Sequence, residues 1–504
     1  MSAAAAPMSA AAAPMSAAAA PMSAASAAGS AATRPRQHFT PLDGWMNDPN
    51  GLVFHEGRWH LFFQHNPEGS DWGNMSWGHA WSTDLRTWHE EPVAIPHDDD
   101  EDVFSGSVVV ALPSDTPGAP RAGDLVAVYT SAATPGSDRA GTQAQAIATS
   151  ADGGRTWTKR CGGPVLDRGS ADFRDPHVFR WSAGGRERWV MVAVEAVERA
   201  VLLYASDDLV TWHALSRFDP VIPVDGIWEC PDLFPLSDPV SGATRWVLLV
   251  SVGDGHPAGG SGMLAFIGDF DGTTYTSDAD PEWVDWGRDC YAGITFTDAP
   301  DERRIMIAWM SNWQYAHTLA EAGRRWSMTM PRELRLAMVD GRLRLVQHAP
   351  DELAVTRTSA VSRELLGAPG RAHRVTSPDG DAYSVLVRLD DDPAVDAEVL
   401  IEIAGCSLTW SPRTDEIVLE RPGRRGPSAF SSTMRAPLPA GTRTAELHLD
   451  VGSVELLAGD GAVSLTALLP AFDGVPALTI QVANGVLAGR IETTADAEEI
   501  SVAA

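Results

Sequence analysis

Three acidic residues occupy matching places in a chain of 504 residues: Asp48 in Asn47-Asp48-Pro49, Asp175 in Arg174-Asp175-Pro176 and Glu229 in Glu229-Cys230-Pro231-Asp232. Each opens an apolar run, with proline or aromatic neighbours and few bases close by in sequence. Brought into one cleft, three carboxylates suit acid and base work at a sugar acetal. That C–O bond breaks through an oxocarbenium-like state, which needs a proton on the leaving oxygen and negative charge opposite it. One carboxyl has to be desolvated and crowded by like charge so that it keeps its proton, while a second stays ionised to attack or to stabilise. A third can grip sugar hydroxyls. Asp-Pro alone is an ordinary turn signal, so the weight rests on the three clusters falling in register.

The register comes from a repeat. Trp59–Gln64 alternates apolar and polar with the period of a half-buried strand, and similar short runs recur through the first 330 residues with little helical periodicity. A polar cluster opens an apolar strand and a turn leads to a second one, five times over. Phe104-Ser105-Gly106 and Asp289-Cys290-Tyr291 complete the set, and the gaps from Asp48 through Ser105, Asp175 and Glu229 to Asp289 are 57, 70, 54 and 60 residues. Four antiparallel strands with loops take about that length. A second marker repeats in phase: Ser82–Trp88, Ser150–Trp157, Ser206–Trp212 and, more faintly, Gly268–Tyr275. Its Asp and Gly residues suit tight turns, and its aromatic suits the gap between sheets. The expectation is an all-β chain whose sheets stack radially into a five-bladed β-propeller. The first strand of each blade would line the axis, so Asp48, Asp175 and Glu229 would share one pocket. Trp45, Trp72, Trp77, Trp228, Trp309 and Trp313 are in part blade packing, with Trp72 and Trp313 the candidates to stack on a sugar.

Beyond Leu334 only Trp410 remains of the tryptophans, while alternating segments continue between prolines and glycines. This half reads as a C-terminal β-sandwich that packs on the propeller or helps hold substrate. The expected organisation is a low-complexity, disordered tail over 1–36, a propeller over 37–335, a linker over 336–350 and a sandwich over 351–504. The tail rests on the seven-residue repeat Met-Ser-Ala-Ala-Ala-Ala-Pro, which lacks the basic start and bulky apolar core of a secretory signal. A cytoplasmic location is therefore expected, or an extracellular one if the N-terminus is mis-started.

The net charge is −29, with Lys159 the sole lysine, which opposes nucleic acid and anionic membranes as partners. No run reaches the roughly 18–20 apolar residues of a membrane span. Four scattered cysteines make no disulfide scaffold. His55 and His60 are five apart in a hairpin, unlike a helical zinc motif. Asp98–Asp102 lacks EF-hand spacing, and the glycines of 253–262 lack a dinucleotide-fold context. No cofactor and no metal are expected.

The segment Trp45-Met46-Asn47-Asp48-Pro49-Asn50-Gly51 resembles the signature of glycoside hydrolase family 32, the invertase, inulinase and levanase group. Phe62–Pro67, Trp77-Gly78-His79-Ala80, Phe104–Ser107, Arg174-Asp175-Pro176 and Trp228–Asp232 support the likeness, which is dense over residues 38–350. The resemblance implies a propeller with an attached sandwich, and hydrolysis of terminal β-fructofuranosyl bonds with retention. Asp48 would be the nucleophile, Glu229 the general acid and base, and Asp175 the transition-state stabiliser with Arg174 beside it as donor. Asn47, Gln64, Trp72, Phe104, Ser105, Asp232 and Trp313 would complete the fructose subsite. Retention implies a nucleophile-to-acid separation of about 5–5.5 Å rather than roughly 6.5–9.5 Å.

Three positions depart from the family pattern. His177 stands where lysine is usual, making the local charge pH-dependent near neutrality. Gly452 and Leu457 in Asp450–Leu457 weigh against substrate contact by that sandwich edge. The segments 253–262 and 312–316 look more like exo-acting inulinases and levanases than narrow sucrases, so a broad exo-β-fructosidase is favoured. The alternatives are fructosyl transfer through the same intermediate and, from another class, a non-catalytic carbohydrate-binding propeller, which leaves the three acids unexplained.

Overall fold

The computed structural model describes residues 34–277, 279–321, 326–354, 361–367, 371–377, 380–390, 397–423, 428–470, 474–484, 487–493 and 498–503. Most of the N-terminal repeat region expected to be a tail lies outside the described residues. Five antiparallel sheets follow one another along the chain as the blades of a propeller, and two larger sheets form a sandwich after them. The innermost strands of blades 1 to 5 are Trp45–His55, Glu101–Val110, Phe173–Ala183, Trp228–Ser237 and Tyr291–Thr295. Each blade is built outward from its innermost strand in chain order.

Blade 5 ends with Arg332–Val339 and Arg342–His348. Residues 336–350, expected as a linker, thus carry the outer hairpin of that blade. It turns through Asp340 and Gly341, both with positive φ, and has no tryptophan marker to reveal it. The ring closes where Phe54 N–H donates to the Thr297 carbonyl and Thr297 N–H to the Leu52 carbonyl, each at 2.9 Å.

A blade buries both faces, so its inner strands are buried over most of their length, and every seam has its own core. Phe62, Trp77 and Tyr129 fill the seam between blades 1 and 2, Met191 and Leu202 that between 2 and 3, and Trp228 and Phe266 that between 3 and 4. Phe234 and Met306 fill the next, and Trp45, Phe63 and Trp309 the closing one. The repeated aromatics wedge into these gaps as expected: Trp88, Trp157, Trp212 and Tyr275 each join a different seam. The aspartate ahead of each fixes its turn by accepting backbone N–H groups, as Asp84 does from Arg86 and Thr87 at 2.9 and 2.7 Å and Asp208 from Val210 and Thr211 at 2.8 and 2.7 Å.

The sandwich packs a six-stranded sheet, edged by Val361–Gly367 and Val463–Leu468, on a seven-stranded one edged by Ser432–Pro437 and Glu498–Ala503. Trp410 sits in its single core. Two buried charge networks fasten it to the propeller. In the first, the His38 ring lies 2.7 Å from both Asp450 and Glu455. Arg332 bridges Glu455 to Asp285, the latter at 2.8 Å. Arg36 and Gln37 also donate their N–H groups to Asp450, so the last residue assigned to the tail is anchored. In the second, Arg421 meets Asp289 at 2.6 Å over the Phe430 ring. The Asp450–Leu457 segment is thus a fastening. No helix among the described residues is long and apolar enough to cross a membrane.

Candidate active site

Each innermost strand slips register at its polar cluster: between Met46 and Pro49, Phe104 and Gly106, Glu229 and Asp232, and Tyr291 and Ile294, and in blade 3 between Arg174 and His177. Such a β-bulge bends the strand and re-aims its side chains. Asp175, Cys230 and Ala292 hold left-handed φ of 60°, 46° and 55° at these bulges, a strain of about 1–3 kcal/mol for a residue with a side chain. At the blade 2 bulge the demand is for space instead, since a Cβ on Gly106 would lie 2.1 Å from the Val128 carbonyl oxygen. The N–H groups freed by the bulges are used inside the site: that of Asp175 donates to Thr130 Oγ1 and that of Cys230 to Asp175 Oδ2, both at 2.9 Å.

The three acids come together, as the repeat implied. Asp48 and Glu229 are half-buried at the axial opening, and Asp175 is buried behind them. Asn47 Nδ2 donates to Asp48 Oδ1 at 3.0 Å and Ser105 Oγ to Oδ2 at 2.7 Å. The Cys230 thiol lies 3.6 Å from Asp48 and 3.8 Å from Asp175. Arg174 was expected beside Asp175, but it directs Nε and Nη2 to Glu229 Oε1 at 3.2 and 3.0 Å and stands 3.9 Å from Asp175. Tyr291 donates its hydroxyl to the other Glu229 oxygen at 2.5 Å. Trp45 Nε1 holds Asn47 at 2.7 Å.

Burial, with the Glu229 charge adding to it, pushes Asp48 up to about 6 against the Asn47 and Ser105 hydrogen bonds. Burial pushes Asp175 up to about 7; Arg174 opposes the rise while Glu229 and Asp48 add to it. The Tyr291 hydroxyl and Cys230 thiol are raised by burial and neighbouring carboxylates, so both stay neutral donors near neutral pH.

The remaining expected residues divide. Trp72 is 43% exposed and meets Phe104 edge to face at 5.9 Å. Trp313 is half-buried and stacked on Trp45 at 6.4 Å. Gln64 is buried and donates to the Val103 carbonyl at 3.0 Å. Asp232 does not join the three acids. It is fully buried, accepts from Thr295 N–H and Oγ1 at 2.7 and 2.8 Å, and lies 3.2 Å from His177 Nε2. Burial lowers His177 from its ordinary value, Asp232 opposing and Arg304 assisting, which favours the neutral ring.

Tyr291, Thr130 and Gln143, which accepts from Arg174 at 3.2 Å, were not singled out as site residues. Tyr291 has a signal, since it belongs to the fifth polar cluster, two residues after Asp289, which faces Arg421 of the sandwich.

A family model for the glycosyl hydrolases family 32 N-terminal domain matches residues 38–349. The chain is 38% identical over 477 residues to the levanase of Bacillus subtilis (strain 168), covering 90% of this chain and 68% of that one. It is 34% identical over 491 residues to an extracellular exo-inulinase of Aspergillus niger, covering 88% and 91%. The crystal structure of the exo-inulinase from Aspergillus awamori superimposes with a TM-score of 0.81 at 30% identity over 92% of this chain and 98% of that one.

Proposed function

The chain belongs to glycosyl hydrolase family 32, and on that premise we propose how its residues divide the work. The enzyme is a β-fructofuranosidase that releases fructose from the non-reducing end of β-fructofuranosides by double displacement through a covalent fructosyl-enzyme. Asp48, aligned by Asn47 and Ser105, attacks the anomeric C2. Glu229, oriented by Arg174 and Tyr291, protonates the leaving oxygen, then takes a proton from the water that opens the fructosyl ester. Asp175 holds fructose hydroxyls and meets the positive charge of the oxocarbenium-like state from a low-dielectric position. Trp72 and Trp313 offer apolar faces at the mouth.

The observation that carries this reading is the joining of Asp48, Asp175 and Glu229 through Cys230 and Arg174 in one axial pocket. The substrate class is broad: exo-acting on fructan, with fructo-oligosaccharides and sucrose accepted. The cytoplasmic location expected from the repeat-rich N-terminus is corrected, because a relative matched over most of both chains is an extracellular exo-inulinase, which favours secretion. Initial rates and product sizes on levan, inulin, fructo-oligosaccharides and sucrose test the reading. Fructose as the dominant product from every chain length is expected; longer oligosaccharides would replace hydrolysis by transfer, and internal fragments would replace exo action.

A further inference from the structure

The propeller axis has a second opening, and it is furnished. A cavity of about 260 Å³ lies among the far ends of the innermost strands of blades 2 to 5, with Phe179, Trp189, Phe234, Arg180, Asp298 and Arg304 in its wall. Strands advance about 3.3 Å per residue, so Phe234, five residues past Glu229, lies roughly 15 Å from the axial carboxylates, and His177 at the inner end, two residues past Asp175, roughly 7 Å. The buried His177–Asp232 pair lines its inner end.

Two polar atoms here, His177 Nδ1 and Arg304 Nε, are buried and have no hydrogen-bond partner among the described residues, and Asp232 Oδ1 has only the His177 Nε2 contact at 3.2 Å. A buried polar group left unpaired is destabilising, so the cavity suits an occupant that donates and accepts. Two arginines, Arg180 and Arg304, face two aspartates, Asp232 and Asp298, which favours a neutral occupant over an ion. Three aromatic rings suit the C–H face of a sugar. The volume is several times the roughly 30 Å³ share of one water.

We propose that this far opening is a second binding site for a neutral monosaccharide, with free fructose, the product released at the other end of the axis, as its ligand. The choice of fructose rests on the fructosidase reading; the polyol chemistry of the cavity does not. Asp232, expected in the fructose subsite of the catalytic pocket, belongs to this site instead.

Equilibrium dialysis of the full chain against labelled fructose, alongside sucrose hydrolysis on the same samples, tests the proposal. Two fructose equivalents per chain are expected in the wild type. One is expected in Arg304→Met, which removes the guanidinium, and one in Leu112→Trp, which fills the cavity from its apolar wall and leaves every polar group in place. Hydrolysis should stay within about twofold of wild type in both, so a failure of the catalytic assignment would show separately. If Arg304→Met loses its cooperative melt, Leu112→Trp decides. A single equivalent in the wild type, or two equivalents persisting in the folded variants, overturns the proposal.

Discussion

Two clusters of buried acids in this molecule differ mainly in their counter-charges. At the sandwich interface Asp450, Glu455, Asp285 and Asp289 face His38, Arg332 and Arg421. Although burial opposes ionisation there, Arg332 and His38 hold Glu455 down at about 2. His38 is raised to about 10 by Asp450 and Glu455 in spite of burial. At the axis Asp48, Asp175 and Glu229 share one guanidinium, that of Arg174, and it is directed mainly at Glu229. Asp48 and Asp175 are pushed up to about 6 and 7. Paired acids fasten domains; at the axis the single guanidinium is taken up by Glu229, and burial keeps Asp48 and Asp175 up.

The largest test of this contrast removes an axial acid. Asp48→Ala should lower kcat by roughly 10⁴ or more and Glu229→Ala by about 10²–10⁴, both with an undiminished melting temperature. A near-parental rate in either would take that residue out of its role.

Removing an interface acid should do the reverse. Glu455→Gln leaves Arg332 and His38 under-compensated in a buried place, a loss of roughly 3–5 kcal/mol, read as a lower midpoint in denaturant with KM unchanged in the folded fraction.

A smaller separation is expected from pH. Activity should fall as pH drops through about 7 and then about 6, where Asp175 and Asp48 in turn take up a proton. Stability has the opposite sign at Asp48. Its folded value lies above the ordinary 3.8, so its contribution is fully present below 3.8 and is lost as pH rises through about 6. Asp48→Asn should therefore melt higher than wild type at pH 8, with the gain gone at pH 4. The Glu455 contribution is present above its ordinary 4.5 and lost only as pH falls toward 2, and that of His38 is present below 6.5 and lost as pH rises through about 10. The fastening should therefore hold across the range in which activity changes. The smallest effect belongs to Tyr291→Phe. Loss of one charge-assisted bond, about 1.5 kcal/mol, should cost close to tenfold in kcat; restoration of rate on a substrate with an activated leaving group would place the loss at proton donation.

The blades were legible because each has the same needs. An aspartate-fixed turn and a seam aromatic recur four times, and the clusters at Asp48, Ser105, Asp175 and Glu229 recur with them. What escaped lies where a bulge or a domain contact changes the address of a side chain. A strand alternates its faces with period two, and one inserted residue reverses that alternation. Glu229 and Asp232, three apart, consequently stay on one face across the bulge, but Asp232 lies farther along the axis and misses the catalytic pocket. Tyr291 escaped for the related reason that the more acidic Asp289, two residues earlier, drew the marker. The outer hairpin of blade 5 escaped because it lacks the turn-and-tryptophan signature, and the fastening role of Glu455 because its partners His38 and Arg332 are remote in sequence.

The bulges have a further consequence. The direct contacts among the axial carboxylates are made by residues on the innermost strands, and the two outer strands of the blades reach them through Gln143 of blade 2, which accepts from Arg174. An engineer could exchange outer hairpins between blades or chains to alter solubility or surface charge, provided that the five kinked stretches, the seam residues that press on them, Gln143 and Arg332 of blade 5 stay in place.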